Sequence, residues 1–564
     1  MTPAIFFENF AFLADAPNGV QKLRELILQL AVRGKLVSQD STDEPASKLL
    51  ERIKVEKAKL VKEKKIRNSE MLSQIDEAEK PFSLPKGWRW TRLGTLGFTQ
   101  TGTTPSTTNP DYFGNDYPFV KPADISEKGV RYTGEGLSSK GIEKGRLIPA
   151  YSVLMVCIGG SISKVNFIDR DCSCNQQINT ITPYYGTDCR LLTYFMASPF
   201  FKNQVLENAP STTLPILSKG KWEVLLVPLP PLAEQHRIVA KVDQLMALCN
   251  ELEARQQKSQ KRLLRLNNSA LDGLTSAYEA AEFTTAWQFV RDSFDLLYTT
   301  PETIAKLRQS ILQLAVQGRL VAQDPTEEPV AKLMDKIRVE KARLIKEKLI
   351  RKSDPLPPVA ADEVPYQLPQ GWERVRLGEV STKITDGEHI TPRRASSGYY
   401  LLSARNVTNR GILLNDVDYV DGAEFDRIRK RCDPNKGDIL ISCSGSIGRV
   451  SIVDEDNKYV MVRSAAMVRL PIDISHSYAA LCLQSPYLQN QMAVKSKATA
   501  QSNLFLGKIS SLILPLPPIS EQRRIVAKVD YLMTICDKLE SMLTKAQTKA
   551  GKLATSSVQG LLAA

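Results

Sequence analysis

PLPPLAEQHRIVAKVDQLMALCNELE, residues 228–253, and PLPPISEQRRIVAKVDYLMTICDKLE, residues 515–540, are two copies of the stretch that decides the fold. In each copy the prolines end the preceding element, because proline continues neither a strand ladder nor a helix interior. Apolar residues then recur at alternating steps of four and three, the a/d spacing of a coiled-coil helix. These seam residues are Ile238, Val242, Leu245, Cys249 and Leu252 in the first copy, and Ile525, Val529, Leu532, Cys536 and Leu539 in the second.

The two predicted helices are able to pair, because matching apolar seams in one chain can pack against each other. A helix of roughly 35 residues is about 50 Å long. The sequence therefore predicts a long helical element, present twice, that holds the segments at its ends at a fixed separation.

The repeat extends far beyond these helices. LRELILQLAVRGKLVSQD at Leu23 returns as LRQSILQLAVQGRLVAQD at Leu307, an offset of 284 residues that also relates Trp88 to Trp372. Residues from about 6 to 275 thus correspond to residues from about 290 to 562. This pattern is a tandem duplication rather than a short-period solenoid, and it predicts internal pseudo-twofold symmetry.

Each half begins with a helical region. An apolar face at Leu23 is followed by Gly34, which is a plausible helix C-cap. A very basic helix comes next, LLERIKVEKAKLVKEKKIR from Leu49, repeated as LMDKIRVEKARLIKEKLIR from Leu333. This basic helix is either a solvated helix with mixed-charge i,i+4 pairs, or a surface for a phosphate backbone or an acidic partner.

The middle of each half has short strands, many turns and few periodic helices. We expect the Gly-Trp turns at Trp88 and Trp372 to anchor a core and to start the first strand, and we expect helices over residues 192–201 and 479–491. The two middles have diverged more than the helical parts, which suits one scaffold with two recognition surfaces. The predicted segments are 1–79 (helical region with basic arm), 80–229 (first recognition domain), 230–363 (helix, connector and second arm), 364–516 (second recognition domain) and 517–564 (second long helix).

Composition limits the function classes. The 564 residues carry 75 Lys plus Arg against 62 Asp plus Glu, a net charge of +13, which is compatible with nucleic acid binding. Nine cysteines without a CxxC pair and three histidines argue against a structural zinc site and for reduced thiols. We find no convincing signal peptide and no apolar run long enough to cross a bilayer, so we expect a cytoplasmic protein.

The sequence contains no recognisable catalytic motif. GxxxxGK[ST], HExxH and a dinucleotide-type GxGxxG are all missing. The Gly-rich stretches GGSIS at Gly159 and GSIG at Gly445 lack the P-loop lysine. They are either tight turns between two strands, or turns whose backbone N–H groups, with Lys164 or Arg449, meet a phosphate.

Two polar loops have side chains suited to DNA. TQTGTTPSTTNPDYF runs from Thr99, and TKITDGEHITPRRASSGYY runs from Thr382. Ser, Thr, Asn and Arg side chains read base edges or hold phosphates, although they are also ordinary loop residues.

The order of these motifs resembles a known family. LPxGW, a Thr-Pro loop, a strand pair with GSI and then PLPPxxEQxRIVAKVD with a long helix, all in duplicate, are similar to the specificity subunit of Type I restriction-modification enzymes. The resemblance implies an α+β fold in which a mixed α/β target recognition domain is duplicated and the two long helices form an antiparallel coiled coil.

The resemblance also implies a division of labour. Each recognition domain would read one half of a split double-stranded DNA site, and the helical pair would fix the spacer. The chain itself would hold no cofactor and no metal and would not be catalytic. Two modification subunits would bind S-adenosylmethionine and methylate adenine N6, and restriction subunits would use ATP and Mg to translocate and cleave DNA.

The candidate DNA-binding residues lie in the Thr-Pro loops, at the following strand ends and in the GSI turns. In the first domain they are Thr101, Thr103, Thr104, Ser106, Thr107, Lys121 and Lys164. In the second domain they are Thr385, Glu388, His389, Thr391, Arg393, Arg394, Arg405, Asn406 and Arg449.

Two other functions fit parts of the sequence. A coiled-coil adaptor with two protein-binding modules would bind its partners without reading DNA sequence. A stand-alone DNA methyltransferase is disfavoured because its cofactor and catalytic motifs are missing. Methyl transfer by the isolated chain would revive that possibility.

Overall fold

The structure is a computed structural model of the whole chain. It describes residues 16–66, 72–132, 134–209, 214–352, 354–360, 363–496 and 503–563, without the side chains of residues 557–559 and 561–563. The chain divides into two compact units. Unit 1 is Met1–Lys258 with Gln547–Ala564, and unit 2 is Ser259–Ala546.

The first half of the chain contains two helices, a mixed α/β region and a long helix. The helices are α1 (Gly19–Val32), α2 (Ala46–Lys62), α3 (Ser139–Lys144), α4 (Cys189–Ala197), α5 (Pro199–Asn208), α6 (Lys219–Glu223) and α7 (Leu232–Ser276). The strands are β1 (Arg89–Arg92), β2 (Gly97–Thr101), β3 (Phe113–Gly114), β4 (Tyr117–Val120), β5 (Ile125–Ser126), β6 (Gly129–Val130), β7 (Gly136–Leu137), β8 (Val153–Val156), β9 (Val165–Phe167), β10 (Ser173–Cys174), β11 (Ile178–Pro183) and β12 (Leu226–Leu229).

The second half repeats this order after a helical connector. Its helices are α8 (Ala280–Asp292), α9 (Phe294–Leu297), α10 (Pro301–Val316), α11 (Val330–Lys346), α12 (Leu377–Val380), α13 (Gly422–Arg429), α14 (His476–Gln484), α15 (Pro486–Ser496), α16 (Leu506–Ser510) and α17 (Ile519–Ala563). Its strands are β13 (Glu373–Arg376), β14 (Lys383–Asp386), β15 (Tyr399–Leu402), β16 (Val407–Thr408), β17 (Gly411–Ile412), β18 (Asp418–Val420), β19 (Ile439–Ser442), β20 (Val450–Ile452), β21 (Tyr459–Met461), β22 (Ala465–Arg469) and β23 (Ile513–Leu516).

Helix α1 ends as its sequence predicts. Its apolar face, which includes Leu23, Leu26 and Ile27, is fully buried in the core of unit 1. Gly34 adopts a left-handed conformation (φ 65°) just beyond the helix, and the amide of Lys35 donates to the Leu30 carbonyl. This arrangement caps the last carbonyls of the helix, as a C-terminal glycine commonly does.

The EQ pair of the PLPPxxEQ motif joins α7 to the start of the recognition domain. The indole N–H of Trp88 donates to the carboxylate of Glu234 over 2.8 Å, and both side chains are buried. Burial raises the pKa of Glu234, whereas hydrogen bonds from Trp88 and Gln39 lower it, and the net direction is upward. The second half repeats this contact with Trp372 and Glu521 over 3.0 Å.

The glutamine of the same pair also makes hydrogen bonds that join the long helix to the recognition domain. Gln235 accepts a hydrogen bond from the amide of Asp188, at the N-terminus of α4, over 3.2 Å, and donates to the Pro230 carbonyl over 3.2 Å. Gln522 repeats both contacts with Ser475 and Pro517, each over 2.9 Å. The motif is therefore explained as a structural junction between the long helix and the recognition domain.

Each recognition domain is closed by its own first and last strands. Strand β1 pairs with β12 in antiparallel fashion, with Arg89 opposite Leu229, and β13 pairs with β23, with Glu373 opposite Leu516. The chain thus enters and leaves each domain through one two-stranded sheet. Between these strands, unit 1 has four-stranded sheets in the orders β2-β11-β8-β9 and β10-β4-β7-β3. Unit 2 has a corresponding sheet β14-β22-β19-β20 and a three-stranded sheet β18-β15-β21.

Each long helix contributes to both units. Residues up to 258 of α7 belong to unit 1 and the rest to unit 2, whereas α17 begins in unit 2 and its residues from 547 onward belong to unit 1. In unit 1, Ala554 of α17 lies in the same core as the first seam. In unit 2, Ala270 and Leu274 of α7 form a cluster with Leu314, against which Leu539 packs. Along the chain, α7 thus passes from unit 1 to unit 2, and α17 passes from unit 2 to unit 1.

The seam residues lie in or against the cores of their own units. Ile238, Val242, Leu245 and Cys249 are buried, and Leu252 packs against the same cluster. Ile525, Val529 and Cys536 are buried, and Leu532 and Leu539 pack against their cluster. The predicted fold class, a duplicated α+β architecture with long helices, is confirmed.

Each of the two stretches that were predicted as single helices forms two consecutive helices. The stretch predicted at 192–201 is split into α4 and α5 at Ser198, and the stretch at 479–491 into α14 and α15 at Ser485. Ser198 is extended (ψ 151°), its hydroxyl accepts the amide of Phe201, and Pro199 begins the second helix. A residue before proline is pushed out of the helical region, so the Ser-Pro pair ends one helix and caps the next.

Other predictions fare differently. The division of the chain into five segments stays a prediction, and residues 1–15 of its first segment lie outside the described residues. All nine cysteines are free thiols. Among the described residues, no helix has the length and apolar character needed to span a membrane.

Candidate nucleic-acid interface

In unit 1 the predicted residues come together at one edge of the sheet β2-β11-β8-β9, where the ends of these strands meet. Thr101 ends β2 and lies opposite Asn179 near the start of β11, while Ile178 of β11 lies opposite Val156 at the end of β8. Since neighbouring strands are antiparallel, the loop after β2, the turn after β8 and the connection before β11 all meet at this edge. We call recognition edge 1 the residues 101–107, 159–164 and 175–177 with Lys121.

The Thr-Pro loop of unit 1 is fixed by a close backbone approach. A Cβ atom at Gly102 would lie 2.2 Å from the Asn175 carbonyl oxygen, so only glycine fits there. The amide of Thr103 donates to the Cys174 carbonyl over 2.9 Å. The Thr101 hydroxyl donates to Asn179 over 2.8 Å.

The other threonines and Ser106 of this loop reach its surface. The Thr104 hydroxyl donates to Gln176 over 2.6 Å. Ser106 and Thr107 are exposed, and the Ser106 hydroxyl lies 2.8 Å from that of Thr108. The loop thus presents hydroxyl groups from a rigid frame.

The GSI turn of unit 1 connects β8 and β9, as predicted. The amides of Gly159, Ile162, Ser163 and Lys164 all donate to carbonyls of the protein. These four amides are therefore not available to hold a phosphate. The side chain of Lys164 is exposed and forms no ion pair within the described part of the chain. Lys164 is thus the turn's candidate phosphate contact.

Lys121 reaches the same edge from the second sheet of unit 1, β10-β4-β7-β3. It follows β4, and the amide of Asn175 donates to the carbonyl of Val120, its neighbour, over 3.2 Å. Its ammonium group pairs with Glu135 over 2.9 Å, and both side chains are largely exposed. The ammonium of Lys121 lowers the pKa of Glu135.

Unit 2 builds an equivalent edge from the same strands. Asp386 of β14 lies opposite Ala466, and Ser442 of β19 lies opposite Ala465 at the start of β22. A Cβ atom at Gly387 would lie 2.1 Å from the Met461 carbonyl oxygen, which repeats the requirement at Gly102. We call recognition edge 2 the residues 385–394, 403–406, 445–449 and 462–464.

Recognition edge 2 carries an Asp-His-Arg cluster that has no counterpart in the threonine-rich edge 1. His389 Nε2 lies 2.7 Å from Asp386 Oδ2 and 3.0 Å from the guanidinium of Arg431, which also pairs with Asp386. Burial alone would raise the pKa of Asp386, but the hydrogen bonds from Arg431 and His389 outweigh it, and the net shift is downward. The Asp386 carboxylate therefore stays ionised and holds the exposed His389 ring in place.

The arginines of edge 2 lie at the surface beside aspartates. Arg393 pairs with Asp421 over 3.2 Å, and Arg394 pairs with Asp418 over 3.4 Å. Arg405 bridges Asp416 and Asp418 over 3.3 and 3.1 Å. Exposed pairs of this kind are weak, so these guanidinium groups can exchange an aspartate for a phosphate at little cost.

The remaining predicted residues of edge 2 are placed as follows. Arg449 is exposed, its guanidinium forms no ion pair in the described ranges, and its amide donates to the Ser442 hydroxyl over 2.9 Å. Thr391 is exposed in the loop, and Thr385 is half-buried on β14, where its hydroxyl donates to the Asp386 carbonyl over 3.3 Å.

Two predicted contacts do not fit the structure. Asn406 is 1% exposed, and its amide group is satisfied by Ser403, Leu413 and Asp416. Glu388 is 9% exposed, accepts the amides of His389 and Ile390, and pairs with Arg427 over 2.9 Å. Both side chains are used to shape the edge and are not available to face DNA. Burial tends to raise the pKa of Glu388, but the hydrogen bonds from the His389 and Ile390 amides and the positive charge of Arg427 outweigh burial. The net shift in the pKa is downward.

Two exposed residues at the edges were missed. Gln176 and Arg463 occupy equivalent places just before β11 and β22, and both side chains are exposed. The sequence signal was weak, because each residue lies in a short connection without a motif of its own. The alignment of Ile178 with Ala465 through the duplication would have paired them.

Within the described ranges, His, Cys, Asp and Glu side chains form no group of three that could hold a metal ion. The edges instead offer hydroxyl, amide, imidazole and guanidinium groups, which suit hydrogen bonding to base edges and phosphates.

Comparisons with known proteins agree with this arrangement. The Type I restriction modification DNA specificity domain matches the chain twice, over residues 85–261 and 369–547. The Type I restriction enzyme EcoAI specificity subunit of Escherichia coli is 31% identical over 557 residues, which cover 94% of this chain and 91% of that protein. The EcoEI specificity subunit of Escherichia coli is 30% identical over 579 residues, with the same coverages.

A solved chain from work on the type I R-M system matches this chain at lower similarity. It is 18% identical, with a TM-score of 0.47, and the match covers 86% of this chain and 99% of that one. The protein therefore belongs to the family of Type I restriction-modification specificity subunits, whose role is to determine DNA sequence specificity. The resemblance seen in the sequence is confirmed.

Proposed function

We propose that the chain directs a Type I restriction-modification complex to a two-part DNA site, in which each recognition edge reads one half-site. The observation that carries this proposal is the duplication of one backbone frame with different outward side chains. Gly102 and Gly387 fix the same loop in both domains, but edge 1 presents threonines and Gln176, whereas edge 2 presents arginines and His389. Two such surfaces suit two different half-sites.

The proposal assigns the chemistry to partner subunits. Two modification subunits bind S-adenosylmethionine and methylate adenine N6, and restriction subunits bind ATP and Mg and cleave DNA. This chain supplies DNA reading and the helices that set the distance between half-sites. In support, the repeated arms are far more alike than the recognition domains, as expected if they bind two copies of one partner.

The basic arms lie at the opposite end of each recognition sheet from its recognition edge. In unit 1 the carboxylate of Glu56 on α2 accepts the amide of Tyr185, just beyond the far end of β11, over 2.7 Å. In unit 2 the Lys341 ammonium of α11 donates to the carbonyls of Gly378 and Glu379, which precede β14. Val55 and Val339, at equivalent positions on the arms, are each 71% exposed. We therefore assign the arms to partner subunits rather than to the bases of the half-sites.

The proposal is tested by selection from random DNA. The chain is co-purified with its modification subunit, and the sequences that the complex retains are determined. We expect two short sequences separated by a fixed gap. Retention of DNA without sequence preference, with partner proteins still bound, would favour the adaptor function instead.

Lys164→Ala and Arg449→Ala are expected to weaken binding uniformly across sequences. Each side chain is exposed within its recognition edge, and each phosphate contact contributes about one unit to the slope of log affinity against log salt concentration. We expect each variant to reduce that slope by about one with the selected sequence unchanged. Arg291→Ala, on the exposed face of α8, is the matched control. An unchanged slope in both edge variants would exclude these residues as phosphate contacts.

A further inference from the structure

A three-residue connection lies at the centre of each recognition edge. Residues 175–177 join β10 to β11, and residues 462–464 join β21 to β22. The Cys157 amide donates to the Gln177 carbonyl over 2.8 Å, and the Cys443 amide donates to the Ser464 carbonyl over 2.8 Å. Within the turns, the Ile178 amide donates a hydrogen bond to the Asn175 carbonyl over 3.2 Å, and the Ala465 amide donates one to the Val462 carbonyl over 3.1 Å. The two connections thus share one backbone frame.

The middle residue of each connection is the exposed one. In unit 1 its neighbours are occupied with each other, because the Asn175 side chain donates to that of Gln177 over 3.0 Å. In unit 2 the neighbouring Ser464 hydroxyl accepts the amide of Ala404 over 3.0 Å. Gln176 and Arg463 are left exposed on a fixed backbone.

Both middle side chains have free hydrogen-bonding capacity. Gln176 accepts the Thr104 hydroxyl at Oε1 over 2.6 Å, which orients its amide group and leaves Nε2 available. The guanidinium of Arg463 contacts no hydrogen-bond acceptor or carboxylate in the described part of the chain. The backbone amide of Arg463 donates a hydrogen bond to the Glu388 carbonyl over 3.0 Å, which holds the backbone in place. A rigid backbone with an uncommitted side chain is suited to reading a base edge.

We propose that Gln176 reads an adenine in the first half-site and that Arg463 reads a guanine in the second, an inference that rests on the proposed function. A glutamine amide matches the N6 and N7 groups of adenine, and an arginine fork matches O6 and N7 of guanine in the major groove. The two domains thus use one position with different chemistry. Thr104 is a positioning residue, since it holds the Gln176 amide.

The proposal separates base reading from phosphate binding within one edge. Arg463 and Arg449 are both exposed arginines of edge 2. Arg449 follows the GSI turn and is assigned to a phosphate, so Arg449→Gln should lower affinity for all sequences alike. Arg463→Gln should instead change which sequence is preferred. This pair is the matched comparison in the experiment.

The experiment determines the sequences selected by the complete complex with its modification subunits. For Arg463→Gln we expect the guanine preference at one position of the second half-site to fall by roughly tenfold or more, with adenine favoured there. For Gln176→Arg we expect the reverse change at one position of the first half-site. The other half-site and the gap should stay as in the wild type, and Arg291→Gln, on the exposed face of α8, should have no effect.

A second variant guards against a folding defect. Arg463→Lys keeps the charge but loses the planar fork, so we expect a weaker guanine preference with an unchanged salt slope. If both Arg463 variants select the wild-type two-part sequence with full guanine preference, the inference is wrong. If the wild-type complex selects no two-part sequence at all, the proposed function fails instead.

Discussion

Trp88→Ala is expected to destabilise unit 1 by about 3–5 kcal/mol, the usual range for removing a large buried aromatic side chain. Trp88 is 2% exposed and stacks on Phe195 at a centroid distance of 6.4 Å. Its indole N–H also donates to the buried Glu234 carboxylate. The substitution would leave a cavity. It would also remove one of the two side-chain hydrogen bonds that the Glu234 carboxylate accepts, and the bond from Gln39 would remain.

The structure offers matched controls for this substitution. Trp372→Ala should have a similar effect in unit 2, because Trp372 is 7% exposed and bonded to Glu521. Trp287→Ala, on α8, removes a side chain that is 50% exposed and should change stability far less. Urea unfolding followed by circular dichroism measures the three shifts. Equal shifts for Trp88→Ala and Trp287→Ala would contradict the junction described for the EQ motif.

Lengthening both long helices by one heptad is expected to abolish recognition of the wild-type sites and to select sites with a longer gap. Seven residues add about 10 Å to a helix, which is about three base pairs of DNA. Insertion after Leu252 in α7 and after Leu539 in α17 keeps the two seams in register, because these residues end equivalent stretches of the repeat. Both half-site sequences should be unchanged.

A same-length control isolates the effect of length. Replacing residues 253–259 and the equivalent residues of α17 with the inserted heptad changes composition without changing spacing. We expect the wild-type gap to persist in that variant. A gap that stays the same in the lengthened protein would show that the helices do not set the distance between half-sites.

The long helices and the junctions were predictable because they depend on local, periodic signals. The heptad spacing identified α7 and α17, and the Gly-Trp turns identified the buried Trp88 and Trp372. The split at Ser198 was not foreseen, since the apolar pattern continues across it while the backbone constraint of the following proline is not periodic. Hydrophobic periodicity therefore predicted the extent of the apolar face but not the break in it.

The candidate site was predictable as a region but not residue by residue. Sequence reasoning assigned residues of both the Thr-Pro loops and the GSI turns to DNA contact, and strand pairing brings these segments to one edge. It could not separate Asn406 and Glu388, which are buried and bonded within the protein, from exposed neighbours such as Arg405 and His389. It also missed Gln176 and Arg463, because their importance comes from strand pairings between distant parts of the chain.

The measurement that tests the central claim most directly is adenine methylation mapping for a domain-exchange protein. Residues 373–516 are replaced by a second copy of residues 89–229, since β1–β12 and β13–β23 close the two domains in the same way. Co-purification with the modification subunit confirms assembly. We predict methylation at a two-part site in which the second half is the inverted repeat of the first, with the wild-type gap. Methylation of the original two-part site by this protein would contradict the account, because no second recognition domain would remain to read its second half.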